Sequence, residues 1–121
     1  MSENILLGQK GEDITASFLR KKGFIIFKRN FRSRFGEIDI IAEKGDLILF
    51  VEVKTRFENA MVSPAQAVDF VKQNRIKQTA KFFVSKTYLD YRYRFDVAEI
   101  TVINQDGKHK YKLNYIKDAF K

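Results

Sequence analysis

A chain of 121 residues with 45% apolar content, 12 Phe and 5 Tyr is long enough and apolar enough for one domain, 1–121, with its own core. The absence of cysteine and a single histidine, His109, exclude a disulfide framework, a thiolate metal site and a histidine cluster, so any metal would be held mostly by oxygen. A formal net charge of +8, with no long apolar run and no signal-like start, leads us to expect a cytoplasmic protein that meets a polyanion, nucleic acid before membrane.

Residues 3 to 22 predict a helix, because Leu7, Gly11, Ile14 and Phe18 recur at helical spacing and Gly23 ends the run. Glu12 falls in the middle of the Ile5, Gly8, Ala16 and Leu19 stripe. A carboxylate there either reaches a site on the sheet or lays its stem over apolar surface. Between Asp13 and Glu37 there is no acid, while Arg20, Lys21, Lys22, Lys28, Arg29, Arg32 and Arg34 are all basic. Interleaved with strand-like aromatics, this tract reads as a nucleic-acid contact or as a solvated basic surface. FIIFKRNF, 24 to 31, predicts a short strand. Two more strands, 37 to 43 and 47 to 54, enclose Lys44, Gly45 and Asp46, a composition suited to a tight hairpin. Ser63, Pro64 and Gln66 have the chemistry of a helix start, with Ser as N-cap, and that helix should run to about Lys86. Its Lys72 and Gln73 flank an apolar stripe, where they can reach a bound phosphate or simply extend to water. A strand near 95 to 103, a turn at Asn104 to Gly107 and the alternating Tyr111, Leu113 and Tyr115 complete the chain. The expected architecture is α/β: a mixed central sheet flanked by helices, in the order helix, three strands, helix, strand, with one late hairpin strand.

With Gly45 and Asp46 as the hairpin loop, residues whose numbers sum to 91 lie opposite, so Asp39 faces Glu52 and Glu37 faces Lys54. One side then collects Ile38, Ile40, Ala42, Leu49, Val51 and Val53, all apolar. The other carries Glu37, Asp39, Glu52 and Lys54, with Ile41, Ile48 and Phe50 beyond them. Like charges across a strand pair repel, and apolar flanks deny them free hydration, so something must neutralise Asp39 and Glu52. A hard divalent cation such as Mg²⁺ suits them, because it takes oxygen ligands and usually asks for one or two carboxylates. Lys54, on the same side, would then hold a water or a phosphate oxygen; alternatively it bridges Glu37 and Glu52 as a structural ion pair. Asp96, between Phe95 and Val97, reads as structural.

GQKGEDITASFLRKKGF, RNFRSRFGEIDIIA, LILFVEVKTR and the helix KQNRIKQTAKFFV together resemble the YraN family, bacterial proteins expected to be nucleases. The likeness runs from Gly8 to the NYIKDAF ending. The family is similar to archaeal Holliday junction resolvases, which implies a restriction-endonuclease-like fold. It also implies that Asp39, Glu52 and Lys54 take the positions of a PD-(D/E)-x-K site, with Ile38 where the proline would stand. Glu12 falls where the resolvases carry an additional acid. On this resemblance the chain is a Mg²⁺- or Mn²⁺-dependent endonuclease acting on DNA more readily than RNA. Asp39, Glu52, the Val53 carbonyl and Glu12 would hold the metal, and Lys54 would orient the water. A junction substrate and a homodimer follow from the resolvase likeness alone. Two other readings stand beside it: a nucleic-acid-binding protein with a vestigial site, and an interaction protein whose basic surface meets an acidic partner.

Overall fold

The computed structural model describes residues 3–59, 68–87 and 90–121. Helix α1 (Glu3–Lys21) buries Leu7, Gly11, Thr15, Ala16 and Leu19, a stripe at helical spacing. It ends where Gly23 takes φ +93°, a left-handed conformation that glycine adopts without strain, and the Phe24 N–H caps the Leu19 carbonyl at 3.0 Å. Strands β1 (Ile25–Ser33), β2 (Gly36–Lys44) and β3 (Leu47–Phe57) follow as an antiparallel meander. Helix α2 (Phe70–Thr87), strand β4 (Arg92–Gln105) parallel to β3, and strand β5 (Lys108–Phe120) antiparallel to β4 complete a five-stranded mixed sheet in the order β1-β2-β3-β4-β5.

The two helices cover opposite faces. Consecutive residues of a strand point to opposite sides, and along β3 the odd positions Leu49 and Val51 join Ile40, Ala42, Ala98 and α1 residues Ala16 and Leu19. The even positions Ile48 and Phe50 join Ile41, Val97 and α2 residues Ile76, Ala80 and Phe83. Gly11 sets the approach of α1 to the sheet: a side chain there would collide with Thr55 Oγ1 on β3. That closeness brings the next residue, Glu12, down beside the Val53–Thr55 stretch of β3.

Four expectations need correction. Helix α2 does not run unbroken from Ser63: Val68 and Asp69 are non-helical, and the helix begins at Phe70, where the Asp69 carboxylate accepts the Lys72 N–H at 2.9 Å as a side-chain cap. Ser63, Pro64 and Gln66 lie outside the described residues. The strand expected near 95 to 103 is longer, Arg92–Gln105. The hairpin register sums to 91 as expected from Lys44↔Leu47 to Ile40↔Val51, but the ladder stops there, so Asp39 and Glu52, and Glu37 and Lys54, are not ladder partners. Finally, Ile38 packs with Ile41 and Phe50 under α2, not with Ile40 under α1. The cause lies in β1, where Asn30 takes φ 53° and breaks the alternation: Arg29 turns toward α1 while Phe31 turns its ring to Phe82 and Phe83 of α2. Ile38, opposite Phe31, follows it.

Candidate active site

Where the β2–β3 ladder ends, the two strands part and Asp39 turns its carboxylate into the opening. Its Oδ2 accepts the Val53 N–H at 2.8 Å, so a side chain replaces the ladder bond that the backbone has given up. Glu52, two residues beyond Phe50 on the α2 side, is 5% exposed. Two amines meet it there: Lys72 Nζ from the first turn of α2 at 2.7 Å and Lys54 Nζ at 3.4 Å, both on Oε1. Asp39, Glu52 and Lys72 line one open cavity of about 480 Å³ with Gly36 and Arg75.

The electrostatics of this cavity are unbalanced. Burial, then the charge of Glu52, pushes the Asp39 carboxyl up to about 7, against the pull of the Val53 N–H; Glu12 raises it further and Lys72 lowers it. Burial and the neighbouring Lys72 hold the Lys54 ammonium below its ordinary range. Burial most strongly disfavours the charged form of Lys72, but its bonds to Glu52 and Lys54 and the charges of Glu52 and Asp39 together outweigh this and hold its pKa above the usual range. One amine is thus fixed as a cation and the other is eased toward neutrality. Asp39 remains a buried carboxyl whose ionisation the surroundings resist.

A hard divalent cation fits this donor set. Among the described residues no three acidic or histidine side chains converge as ligands. Asp39 and Glu52 are instead a pair facing one cavity, and one or two carboxylates completed by water are the usual protein share of a Mg²⁺ shell. Burial first, and then the charge of Glu52, disfavour the ionised Asp39, and such an ion would offset both.

Comparison with known proteins places the chain. Residues 11–100 match the model of an uncharacterised protein family, UPF0102. The chain belongs to this family. A UPF0102 protein of Clostridium perfringens is 45% identical over 120 residues, covering 98% of this chain and 96% of the relative. One from Alkaliphilus metalliredigens is 44% identical over 115 residues, 94% and 96% of the two chains, and one from Dictyoglomus thermophilum 47% identical over 103 residues, 84% and 86%. UPF0102 is the family also called YraN, so the resemblance carried by the four motifs is correct, and these relatives are bacterial.

In this UPF0102 chain the expected site residues do not all meet. Asp39, Glu52, Lys54 and Lys72 do. Glu12 comes near enough to act on Asp39 through its charge, but its Oε1 receives Arg29 at 3.3 Å and Asn30 at 3.2 Å, and it lines a neighbouring cavity with Val53 and Lys54. Gln73 is turned away, its amide donating to the Val68 carbonyl at 3.0 Å and bracing the approach to α2. Glu37 pairs with Arg32, 3.3 Å away, at the edge of the cavity that Asp39 and Glu52 also line. Of the basic tract, Arg29 is tied to α1 through Asp13 at 2.9 Å and Glu12, while Lys28, Arg32 and Arg34 are exposed on β1 and the turn after it. Two residues were missed. Arg75 lies three positions after Lys72, a helical spacing that puts both on one flank of α2. Asn30, a residue tolerant of left-handed backbone inside a strand pattern, was the one sign that the alternation breaks opposite Asp39.

No helix among the described residues is long and apolar enough to cross a membrane.

Proposed function

We propose that the protein is a metal-dependent endonuclease of restriction-endonuclease-like architecture, acting in the cytoplasm on DNA phosphodiesters. The observation that carries this reading is the buried Asp39–Glu52 pair with Lys54 alongside, at the point where β2 and β3 part. Asp39, Glu52 and the Val53 carbonyl would hold Mg²⁺ or Mn²⁺. When bound, such an ion supplies an acidified water and a Lewis acid against a phosphoryl oxygen. Lys54, whose ammonium is destabilised by burial, can hold the water and take or give a proton there. Lys72 neutralises Glu52 in the resting site, and with Glu52 engaged by an ion it would be free to face the phosphate with Arg75. Glu12 positions Arg29, biases Asp39 by its charge and would complete the shell of the ion. Lys28, Arg32 and Arg34 draw the polyanion in. Branched DNA and a homodimer are proposed on the resolvase likeness.

One observation favours a second reading, a binding protein with a vestigial site: the 2.7 Å Lys72–Glu52 ion pair already satisfies part of Glu52. One experiment separates the two. Labelled linear, single-stranded, flap and four-way DNA are incubated with Mg²⁺ or Mn²⁺, and calorimetry follows Mn²⁺ binding to wild type and Glu52→Gln. The nuclease reading expects cutting of at least one substrate and weaker Mn²⁺ binding by the variant. Affinity for DNA without turnover on any substrate, with equal Mn²⁺ binding by both proteins, would establish the second reading.

A further inference from the structure

Across α2 from the carboxylates lies a second cleft, again of about 480 Å³. Its floor is aromatic. Phe50 stacks with Phe95 at 5.6 Å and meets Tyr93 at 6.2 Å, while Phe95 stacks on Phe120 at 5.1 Å. Its rim is basic: Lys77, Lys81 and Lys121 surround it, with the amides of Asn74 and Gln78 on the helix side. Lys77 Nζ lies 5.9 Å from the Phe120 ring, and Asp118 engages Lys121 at 3.2 Å. None of the described residues lining the cleft is acidic. Tyr93 remains 40% exposed although it stands on an interior strand of the sheet.

A cleft of this kind exposes one flat ring, Tyr93, beside stacked and more deeply buried ones, under a positive rim. A second copy presenting the same cleft would set three lysines against three, which disfavours a symmetric dimer at this surface. The matching occupant brings a flat apolar face and a negative charge together. Bases stack on aromatic side chains whatever their sequence, lysines take the phosphate, and amides meet base edges. A duplex buries its base faces and offers only edges, so only an unpaired nucleotide can present its face.

We propose that this cleft binds an unpaired nucleotide of a single-stranded stretch, its base against Tyr93 and its phosphate against Lys77 and Lys81. The inference rests on the nucleic-acid reading above and names its substrate class: DNA with an unpaired portion. The cleft and the carboxylates are separated by α2, roughly 10–12 Å, so the nucleotide held here is not the one cut. It is a neighbour on the same or a displaced strand.

The test is binding in chelator, which needs no turnover. Fluorescently labelled oligothymidylate of about a dozen nucleotides is compared with an abasic oligomer of the same length and phosphate number. Wild type should bind the thymidylate about tenfold more tightly, the scale of one stacked base. Tyr93→Leu, which keeps apolar bulk but removes the flat ring, should bring the two within about twofold, and Tyr93→Phe should restore the difference. Lys81→Ala should weaken both oligomers and leave their ratio. A protein that cuts no DNA yet discriminates the oligomers defeats only the catalytic reading; one that cuts DNA but binds both oligomers equally defeats only this one. Absence of binding to either oligomer also overturns it, and the wild-type comparison decides even if Tyr93→Leu does not fold. Dissociation of a wild-type dimer by Tyr93→Leu in sedimentation would assign the cleft to a second copy instead.

Discussion

Two aspartates on neighbouring parts of one sheet show how differently a fold can treat a buried carboxylate. Asp96, fully buried on β4, is surrounded by donors: the Arg94 guanidinium forks onto both oxygens at 2.9 and 3.0 Å, the Tyr115 hydroxyl donates at 2.6 Å and the Asp118 N–H at 2.9 Å. The sheet bends to supply them, since the register shift between Phe95 and Val97 is where Asp118 takes φ 53° and turns its N–H inward. Burial and the Asp96 charge in turn push the Tyr115 phenol far up, which keeps it a donor at any ordinary pH. Asp39 has the peptide N–H of Val53 and, among its charged neighbours, two acids, Glu52 and Glu12, against Lys72. A charge-assisted fork and two further donors make a structural carboxylate; one N–H, and two acids set against a lysine already bonded to Glu52, leave a carboxylate without a counter-ion of its own. Electrostatic strain left in place by a fold that can relieve it elsewhere is the feature that makes Asp39, and not Asp96, the candidate.

The comparison is tested most strongly by giving each aspartate the same substitution. Asparagine at position 39 keeps an oxygen for the Val53 N–H and removes the charge that opposes Glu52. The metal-free Asp39→Asn protein should therefore be no less stable than wild type in urea, and bind DNA at least as well. Cleavage should nonetheless fall by at least about a hundredfold, because a neutral amide is a poor ligand for a hard cation. Wild-type cutting by this variant, or a variant that unfolds, would make Asp39 as structural as Asp96.

Asp96→Asn should do the reverse. It leaves Arg94 without its carboxylate in a site where the guanidinium is only 24% exposed, and breaking such a pair costs about 3 kcal/mol. Thermal unfolding should shift down by on the order of 10 °C, while the cutting rate per folded molecule stays near that of wild type. If Asp96→Asn is as stable as wild type, the donors around Asp96 are no measure of its role, and the contrast with Asp39 loses one of its two terms.

Much of the Asp39 neighbourhood was legible in the sequence because alternation and a two-residue loop together fix a hairpin. Gly45, at φ +59°, supplies the backbone such a loop needs, and every ladder pair from Lys44↔Leu47 to Ile40↔Val51 follows from it. The rule fails at Asp39 itself, where the departure begins with Asn30 on a different strand and turns Ile38 to the other helix; a periodicity read along one strand cannot register a break imposed by its neighbour. The reach of Lys72 to Glu52 depends on how α2 lies across the sheet, and the pairing of Glu12 with Arg29 depends on β1 passing beneath α1. Helical wheels give direction, not distance. Asp96 could be read as structural from its apolar flanks, but its partners come from two residues back on β4 and from β5, beyond any local pattern.

The smallest expected effect is a slope with pH. The Asp39 carboxyl protonates near 7 in the folded protein and in the ordinary carboxylate range once unfolded, so between those limits the folded state holds its proton more tightly. The stability this contributes is fully present at pH values below the unfolded pKa and is lost as pH rises through about 7. In chelator, the wild-type urea midpoint should therefore fall between about pH 5 and pH 8 more than that of Asp39→Asn, a difference on the order of 1–3 kcal/mol. Subtracting the variant removes the groups common to both. Mn²⁺ should raise the wild-type midpoint most at the alkaline end, where Asp39 is ionised and its repulsion by Glu52 is greatest, and should leave the variant nearly unmoved. Parallel pH curves for the two proteins would mean that Asp39 is already neutralised within the fold, as Asp96 is, and that no cation is called for at the parting of β2 and β3.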